Sequence, residues 1–553
     1  MKQLAALLIL VVAACSVRAD ERVVEGKQGM VVSVSAPASA IGVDILKKGG
    51  TAVDAAVAVA FALAVTYPAA GNIGGGGFMM VHPAKGDPVC IEYRETAPAA
   101  AAKDMYRKTT SYLGLRVVGV PGTVRGMALA HERYGKLAWK DVVLPAVKLA
   151  EEGFLIDAQL AGSLNRVVAD SADFPELQRV FGKNGKPDWQ AGDRLIQKDL
   201  GKSLRLIAEQ GPDAFYTGAI ADLLVKEMKS GDGLITKEDL KNYQAKVRQP
   251  IHGTFRGYDV YGPPPPSSGG IVLIEMLNML ENFPLKKMGR WSPETVHLII
   301  ESMRRAYCDR ARHLGDADFV KIPEYLTSKK YARGLALTIS PTKATRSLDI
   351  AKDIPIMPEG DSTTHFSVID KAGNAVSNTY TLERSYGSRV VVRGAGFLLN
   401  NEMMDFNWLP GVTDDRGLIG TLPNQIAPGK RMLSSQTPVI VAKGGKVFLV
   451  TGSPGGRTII NTVLGNVLNV LEFDMDVGEA VDTPRLHHQW FPDAARLEQT
   501  GKHPELVRKL RKMGHSIEAN DKQGDAHSIL VDPKTGVYRG AADQRISGAA
   551  RGY

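Results

Sequence analysis

The stretch Ser362-Thr363-Thr364-His365-Phe366-Ser367-Val368-Ile369-Asp370, then Lys371-Ala372-Gly373, then Asn374-Ala375-Val376-Ser377-Asn378-Thr379-Tyr380-Thr381, decides the fold. Runs rich in β-branched and aromatic residues flank a short connection containing glycine, which predicts a hairpin with a three-residue turn. Pairing Asp370 with Asn374 sets Val368 opposite Val376, Phe366 opposite Asn378 and Thr363 opposite Thr381. Opposed Cβ atoms lie roughly 5 Å apart, so the two threonine hydroxyls fall within reach of each other. A bulge would break this register. Threonine is also an ordinary strand residue, so the pair by itself is compatible with plain sheet structure.

Before this hairpin, residues 341–362 carry mixed charges, prolines at 341, 355 and 358 and little periodicity, which predicts a poorly packed connection. Residues 120–340 read mainly as helix, with one clear start at Ser292-Pro293-Glu294, a cap followed by a first-turn proline and an acid. The run Pro263–Pro266, Ser267-Ser268, Gly269-Gly270 reads as a loop ahead of an apolar helix. Near the N-terminus an Ala-rich helical pattern from Ile45-Leu46 to Ala64-Val65 precedes a glycine cluster, Gly71-Asn72-Ile73-Gly74-Gly75-Gly76-Gly77, and then strand-like segments from Phe78 to His82 and from Val89 to Arg94. After Thr363 the pattern is strand-rich. There Val447-Phe448-Leu449-Val450-Thr451 runs through Gly452-Ser453-Pro454-Gly455-Gly456 into a helical pattern of Ile459, Ile460, Val463, Leu464 and Val467. Glycines between a strand and a helix start can aim backbone N–H groups at an anion, and they can equally form a plain turn.

The gross features set the class. A chain of 553 residues exceeds one small core, and 44% hydrophobic with 23% charged residues is ordinary globular composition. The net charge of +9 is dispersed, with no basic run interleaved with aromatics, so no nucleic-acid partner is expected. Lys2, the apolar stretch Leu4–Ala14 and the small residues Ala14 and Ala19 follow the order of a secretory signal. Cleavage after Val17-Arg18-Ala19 would start the mature chain near Asp20. Val12-Ala13-Ala14-Cys15 also resembles a lipoprotein signal that would leave Cys15 lipidated, and simple cleavage is the preferred reading. An exported protein, periplasmic or secreted, is expected. No later run reaches about 20 apolar residues, so no membrane span is expected. Cys90 and Cys308 do not make a disulfide framework and are expected as buried free thiols, with a single bridge as the alternative. The glycine run lacks the Gly-Lys-Ser/Thr of a phosphate loop, and no Gly-x-Ser-x-Gly elbow stands out. Adjacent His487 and His488 would point to opposite faces of a strand, and no metal or cofactor is expected.

In order along the chain stand Asn72–Phe78, Tyr93-Arg94-Glu95, Gly119-Val120-Pro121-Gly122, Asp309-Arg310-Ala311-Arg312, Thr363-Thr364-His365 and Thr379-Tyr380-Thr381-Leu382. Leu399-Asn400-Asn401-Glu402 with Asp405, Leu433-Ser434-Ser435 and Gly452–Gly456 follow. Together these resemble the γ-glutamyltransferases, over essentially the whole mature chain. The resemblance implies an α+β fold, the four-layer αββα sandwich of the N-terminal-nucleophile hydrolases, shared by a large subunit of residues 20–362 and a small subunit of residues 363–553 after self-cleavage between Ser362 and Thr363. It makes Thr363 the nucleophile, Thr381 its orienting partner, and Gly455 and Gly456 the oxyanion hole. It makes Arg94, Ser434 and Ser435 binders of an α-carboxylate, and Glu402 and Asp405 binders of an α-amine. Cleavage has a physical logic: an amide nitrogen cannot accept a proton, whereas a freed α-amine with a pKa of about 8 can.

The donor implied is glutathione or another γ-glutamyl compound, the acceptor water, an amino acid or a peptide, with no cofactor. Two positions depart from the family. Glu383 stands where asparagine is common beside the substrate amine, and Arg416 stands where the lid often carries tyrosine. The alternatives are a related glutaryl or cephalosporin acylase, or an uncleaved binding homologue.

Overall fold

A computed structural model describes residues 22–109, 111–351, 363–414, 416 and 419–553. The signal segment, Cys15 and Ser362 lie outside the described residues.

The hairpin forms in the predicted register. Thr364–Asp370 pairs antiparallel with Ala375–Thr381, placing Val368 opposite Val376, Phe366 opposite Asn378 and Thr364 opposite Tyr380. Gly373 takes φ +86° in the turn, a conformation that needs no Cβ. The hairpin is the centre of a seven-stranded sheet whose other strands are Ala549–Gly552, Gly29–Ser33, Gly76–His82, Val89–Glu92 and Lys246–Arg248. A second seven-stranded sheet runs Val23–Gly26, Tyr538–Ala542, His527–Val531, Lys446–Thr451, Val439–Lys443, Tyr258–Gly262, Ile251–Phe255.

The sheets stack face to face through Met30, Val32, Phe78, Met80 and Ile369 on one side and Ile440, Val450, Ile529 and Ala542 on the other. Polar stitches cross the same layer: Ser367 Oγ donates to the His527 carbonyl at 2.8 Å and Ser377 Oγ to that of Thr451 at 2.9 Å. His365 also lies here, 2.8 Å from Thr379 Oγ1, and a Cβ on Gly452 would come within 2.2 Å of its ring. Glycine at 452 is therefore what lets the second sheet close over the hairpin.

Helices cover both outer faces. Against the hairpin sheet lies Ala52–Thr66, entirely buried, started by a capping box between Thr51 and Asp54. Its alanines let sheet and neighbouring helices approach closely. Against the second sheet lie Gly269–Leu280, Pro293–His313 and Thr458–Leu471. The result is the expected αββα sandwich. Each sheet mixes strands from before residue 351 with strands from after residue 363, so neither stretch completes either sheet by itself.

Some local expectations need correction. The Ala-rich pattern is two helices, Ala36–Lys47 and Ala52–Thr66, broken where Gly49 takes φ +88°. The mainly helical region contains three strands: Lys246–Arg248 pairs with the distant Val89–Glu92, while Ile251–Phe255 and Tyr258–Gly262 form a local hairpin across Arg256 and Gly257, both at positive φ, a turn signal that the reading of the sequence missed. Ser292 does cap Pro293–His313, and the proline run does lead into Gly269–Leu280. Cys90 and Cys308 are both buried and free. Among the described residues no helix is long and apolar enough to cross a membrane.

Candidate active site

Thr363 stands one residue ahead of its strand at the end of the hairpin, and Thr381 closes the partner strand. The Thr363 hydroxyl donates to Thr381 Oγ1 at 3.3 Å, and the Glu383 N–H donates to that same oxygen at 2.8 Å. Asn72 fixes the backbone beneath them: its Nδ2 donates to the Thr381 carbonyl at 2.9 Å while its Oδ1 accepts from Gly75 N–H at 2.9 Å and Thr123 Oγ1 at 2.7 Å. A Cβ on Gly75 would sit 2.0 Å from the Thr381 carbonyl, so the glycine run serves close backbone approach to the hairpin.

Thr363 and Thr381 line a cleft of about 360 Å³ together with Arg94, Glu383, Glu402, Asp405, Ser434, Ser435 and Gly456. Arg94 follows the strand Val89–Glu92, and its guanidinium is buried. It pairs with Glu402 through Nη1 and with Asp405 through Nη2, both on the single turn Glu402–Asp405. The family resemblance assigned Arg94 and these acids to opposite ends of a ligand, and the cleft brings them together as one ion-paired cluster. Asn400 positions that turn, its Oδ1 accepting from the N–H groups of Glu402 at 3.0 Å and Gly119 at 2.9 Å and its Nδ2 donating to the Gly74 carbonyl at 2.8 Å. Three of the separated motifs thus meet on one side chain.

Burial works against the charge of Arg94, but Glu402, Asp405 and Glu95 more than offset it and raise its pKa. Burial pushes Glu402 well above the carboxylate range despite Arg94, and pushes Glu95, 3.7 Å from Arg94, up to about 8. The cluster therefore has acidic groups in reserve for an entering cation.

Ser434 and Ser435 also line the cleft. The Ser434 carbonyl accepts from the Ser268 N–H at 2.8 Å and from its hydroxyl at 2.7 Å, and Arg310 donates to Ser435 Oγ at 2.9 Å. Arg310, Gln436 and Arg457 also line the cleft and were missed as site residues, although Arg310 lies inside a motif and Arg457 directly follows Gly456. Gly455 and Gly456 lie between the strand Lys446–Thr451 and the helix Thr458–Leu471, with φ of +126° and +54°. Glu383 has φ +77°, a conformation that a non-glycine residue rarely holds. Arg416 is away from the cleft lining and pairs with Asp414 at 2.9 Å.

His487 and His488 are buried with separate partners, Asn461 and Asp493. A buried trio of potential metal ligands, His297, Glu301 and His515, is already committed: Glu301 pairs with Arg304 and Arg305, and His297 Nδ1 lies 2.7 Å from His515 Nε2.

A family model described as gamma-glutamyltranspeptidase matches residues 38–553. A glutathione hydrolase proenzyme of Escherichia coli (strain K12) is 46% identical over 543 residues, covering 96% of this chain and 93% of its own. The acylase ACY 1 proenzyme of Pseudomonas sp. (strain SE83) is 36% identical, covering 96% and 94%. The crystal structure of a cephalosporin acylase from Bacillus halodurans superimposes with a TM-score of 0.85 at 26% identity, covering 99% of each chain. With its fold, its ordered motifs and a match over most of its length, this chain belongs to the gamma-glutamyltranspeptidase family.

Proposed function

We propose that this protein is an autoprocessed γ-glutamyltransferase and glutathione hydrolase. The observation that carries the reading is the hydroxyl of Thr363 set against Thr381 in a cleft that also holds Arg94, Glu402, Asp405 and the serine pair. In maturation the Thr363 hydroxyl attacks the carbonyl of Ser362, and hydrolysis of the resulting ester frees the Thr363 amine. Residues 20–362 and 363–553 then remain together as a heterodimer, since each sheet draws strands from both.

In turnover the freed amine takes the proton from the Thr363 hydroxyl as its oxygen attacks the γ-carbonyl of the donor. The N–H groups at Gly455 and Gly456 receive the oxyanion. The C–N bond breaks, the leaving amine takes the proton, and a γ-glutamyl ester on Thr363 remains. Water or the amine of an amino acid or peptide then attacks that ester. The donor is glutathione or a related γ-glutamyl amide. Its α-carboxylate displaces acids from Arg94 and is seated by Ser434 and Ser435, while its α-ammonium takes Glu402, Asp405 and Glu383. Arg suits the first task because its planar fork donates in parallel. The leader at residues 1–19 supports export to the periplasm or medium, checked by the N-terminus and compartment of the mature protein.

An acylase acting on glutaryl amides is the second reading, favoured by the likeness to the cephalosporin acylase structure. A glutaryl group has no α-amine, and three carboxylates in the cleft favour the γ-glutamyl donor. Intact mass and N-terminal sequencing of wild type and Thr363→Ala, with rates on γ-glutamyl and glutaryl anilides, test both. Two fragments, the smaller starting at Thr363, and preference for the γ-glutamyl anilide are expected. An uncut wild-type chain would overturn the enzyme reading, and preference for the glutaryl anilide would favour the acylase.

A further inference from the structure

A second cavity lies between the helices Pro293–His313 and Thr458–Leu471 and shares no lining residue with the cleft. Arg290, Arg485 and the amides Asn461, Asn466 and Asn469 are among its polar lining, Ile299 and Leu464 among its apolar lining, and no carboxylate lines it among the described residues. Arg290 is only 8% exposed. Its Nε donates to Asn469 Oδ1 at 2.8 Å and its guanidinium stacks 4.3 Å from the Trp291 ring, but buried Nη1 has no protein acceptor and no acid pairs with it among the described residues. Arg485 is offset by Asp543, while its Nε–H, also buried, has no protein acceptor.

We propose that this cavity binds one small monovalent inorganic anion, chloride in ordinary buffers, held by Arg290 and the Nε–H of Arg485. Burial, unopposed by any acid, pulls the Arg290 guanidinium down to about 10, so it is still a cation at neutral pH. A buried charge without a counter-charge is strongly unfavourable. A neutral water can satisfy a hydrogen bond there but not the charge. Apolar walls at Ile299, Met303, Leu464 and Leu468 suit a weakly hydrated halide better than a large oxyanion. The Asn461 Oδ1 atom, an acceptor on the same cavity, marks where a water completes the site.

Arg290 comes from the stretch before the proposed cleavage point, and Asn466, Asn469 and Arg485 from the stretch after it. The anion therefore ties the two pieces along the helix that begins beside Gly455 and Gly456.

The test is thermal unfolding of the purified protein in sodium gluconate, chloride or bromide at one fixed ionic strength, beside Arg290→Gln. A saturable rise of a few degrees in Tm with either halide, absent in Arg290→Gln, is the expected result. Equal melting in gluconate and halide, or the same halide response in the variant, would overturn the proposal. Should Arg290→Gln not fold, bromide-soaked crystals of wild type decide alone: an anomalous peak beside Arg290 supports the site, and its absence rejects it.

Discussion

The hydroxyl of Thr363 donates to that of Thr381 across 3.3 Å, at the open end of a hairpin whose register brings these residues together from eighteen positions apart in the chain. Thr381 is itself held by the N–H of Glu383 and, through its carbonyl, by Asn72. The pair is thus set by backbone geometry rather than by rotamer choice alone.

Removing that partner tests its role. Thr381→Ala is expected to lower kcat about 100-fold, with a much smaller change in KM, and to slow self-cleavage. Thr381→Ser, which keeps the hydroxyl, should recover most of both. Steady-state kinetics and a gel time course of processing check this.

The glycine turn should be intolerant of a side chain. Gly455 has φ +126°, and a Cβ there would lie 2.5 Å from Thr458 Oγ1. Gly455→Ala is expected to lower kcat by about 10²–10³, the effect of losing one oxyanion donor. Single-turnover acylation rates give the value, and near-wild-type acylation would remove this turn from the mechanism.

Glu383 gives a specificity prediction. Glu383→Gln is expected to raise KM for a γ-glutamyl anilide about tenfold, in line with loss of one charged hydrogen bond. Hydrolysis of a glutaryl anilide, which has no amine to lose contact with, should be unaffected. Equal effects on the two anilides would place Glu383 outside amine recognition.

Stability should fall in acid through Glu301. Burial alone would raise this carboxyl, but Arg304, the Thr345 N–H and Arg305 pull it down to about 2. The folded state therefore binds fewer protons than the unfolded one between about pH 2 and the ordinary value of about 4.3. The stabilisation, about 3 kcal/mol, is full above that ordinary value and is lost as pH falls towards 2. Urea unfolding at pH 7 and pH 3 should show Glu301→Gln less stable at pH 7 and less sensitive to acid than wild type.

What could be read without coordinates followed from local rules. The hairpin register came from side-chain alternation and a three-residue turn, the helix start at Ser292 from cap chemistry, and the buried free cysteines from their number. The candidate residues Arg94, Glu402, Asp405, Ser434 and Ser435 were legible through ordered motifs, and they do converge with Thr363. The strands from Lys246 to Gly262 were missed for two reasons: Lys246–Arg248 pairs far back at Val89–Glu92, whereas Ile251–Phe255 and Tyr258–Gly262 form a hairpin whose local signal, the Arg256-Gly257 turn, was overlooked.

Spacing and motif order were enough to set the hairpin, the threonine pair at its end and the family, because a strand repeats every two residues and the motifs keep their order along the chain. Three-dimensional packing was needed to show that Arg94 rests on Glu402 and Asp405, that Asn400 ties Gly74, Gly119 and Glu402 together, and that Arg310 and Arg457 share the cleft. Most of those contacts join residues far apart in the chain. Their partners are selected by how two sheets and two helical layers pack, and packing is a property of the whole chain rather than of any stretch of it.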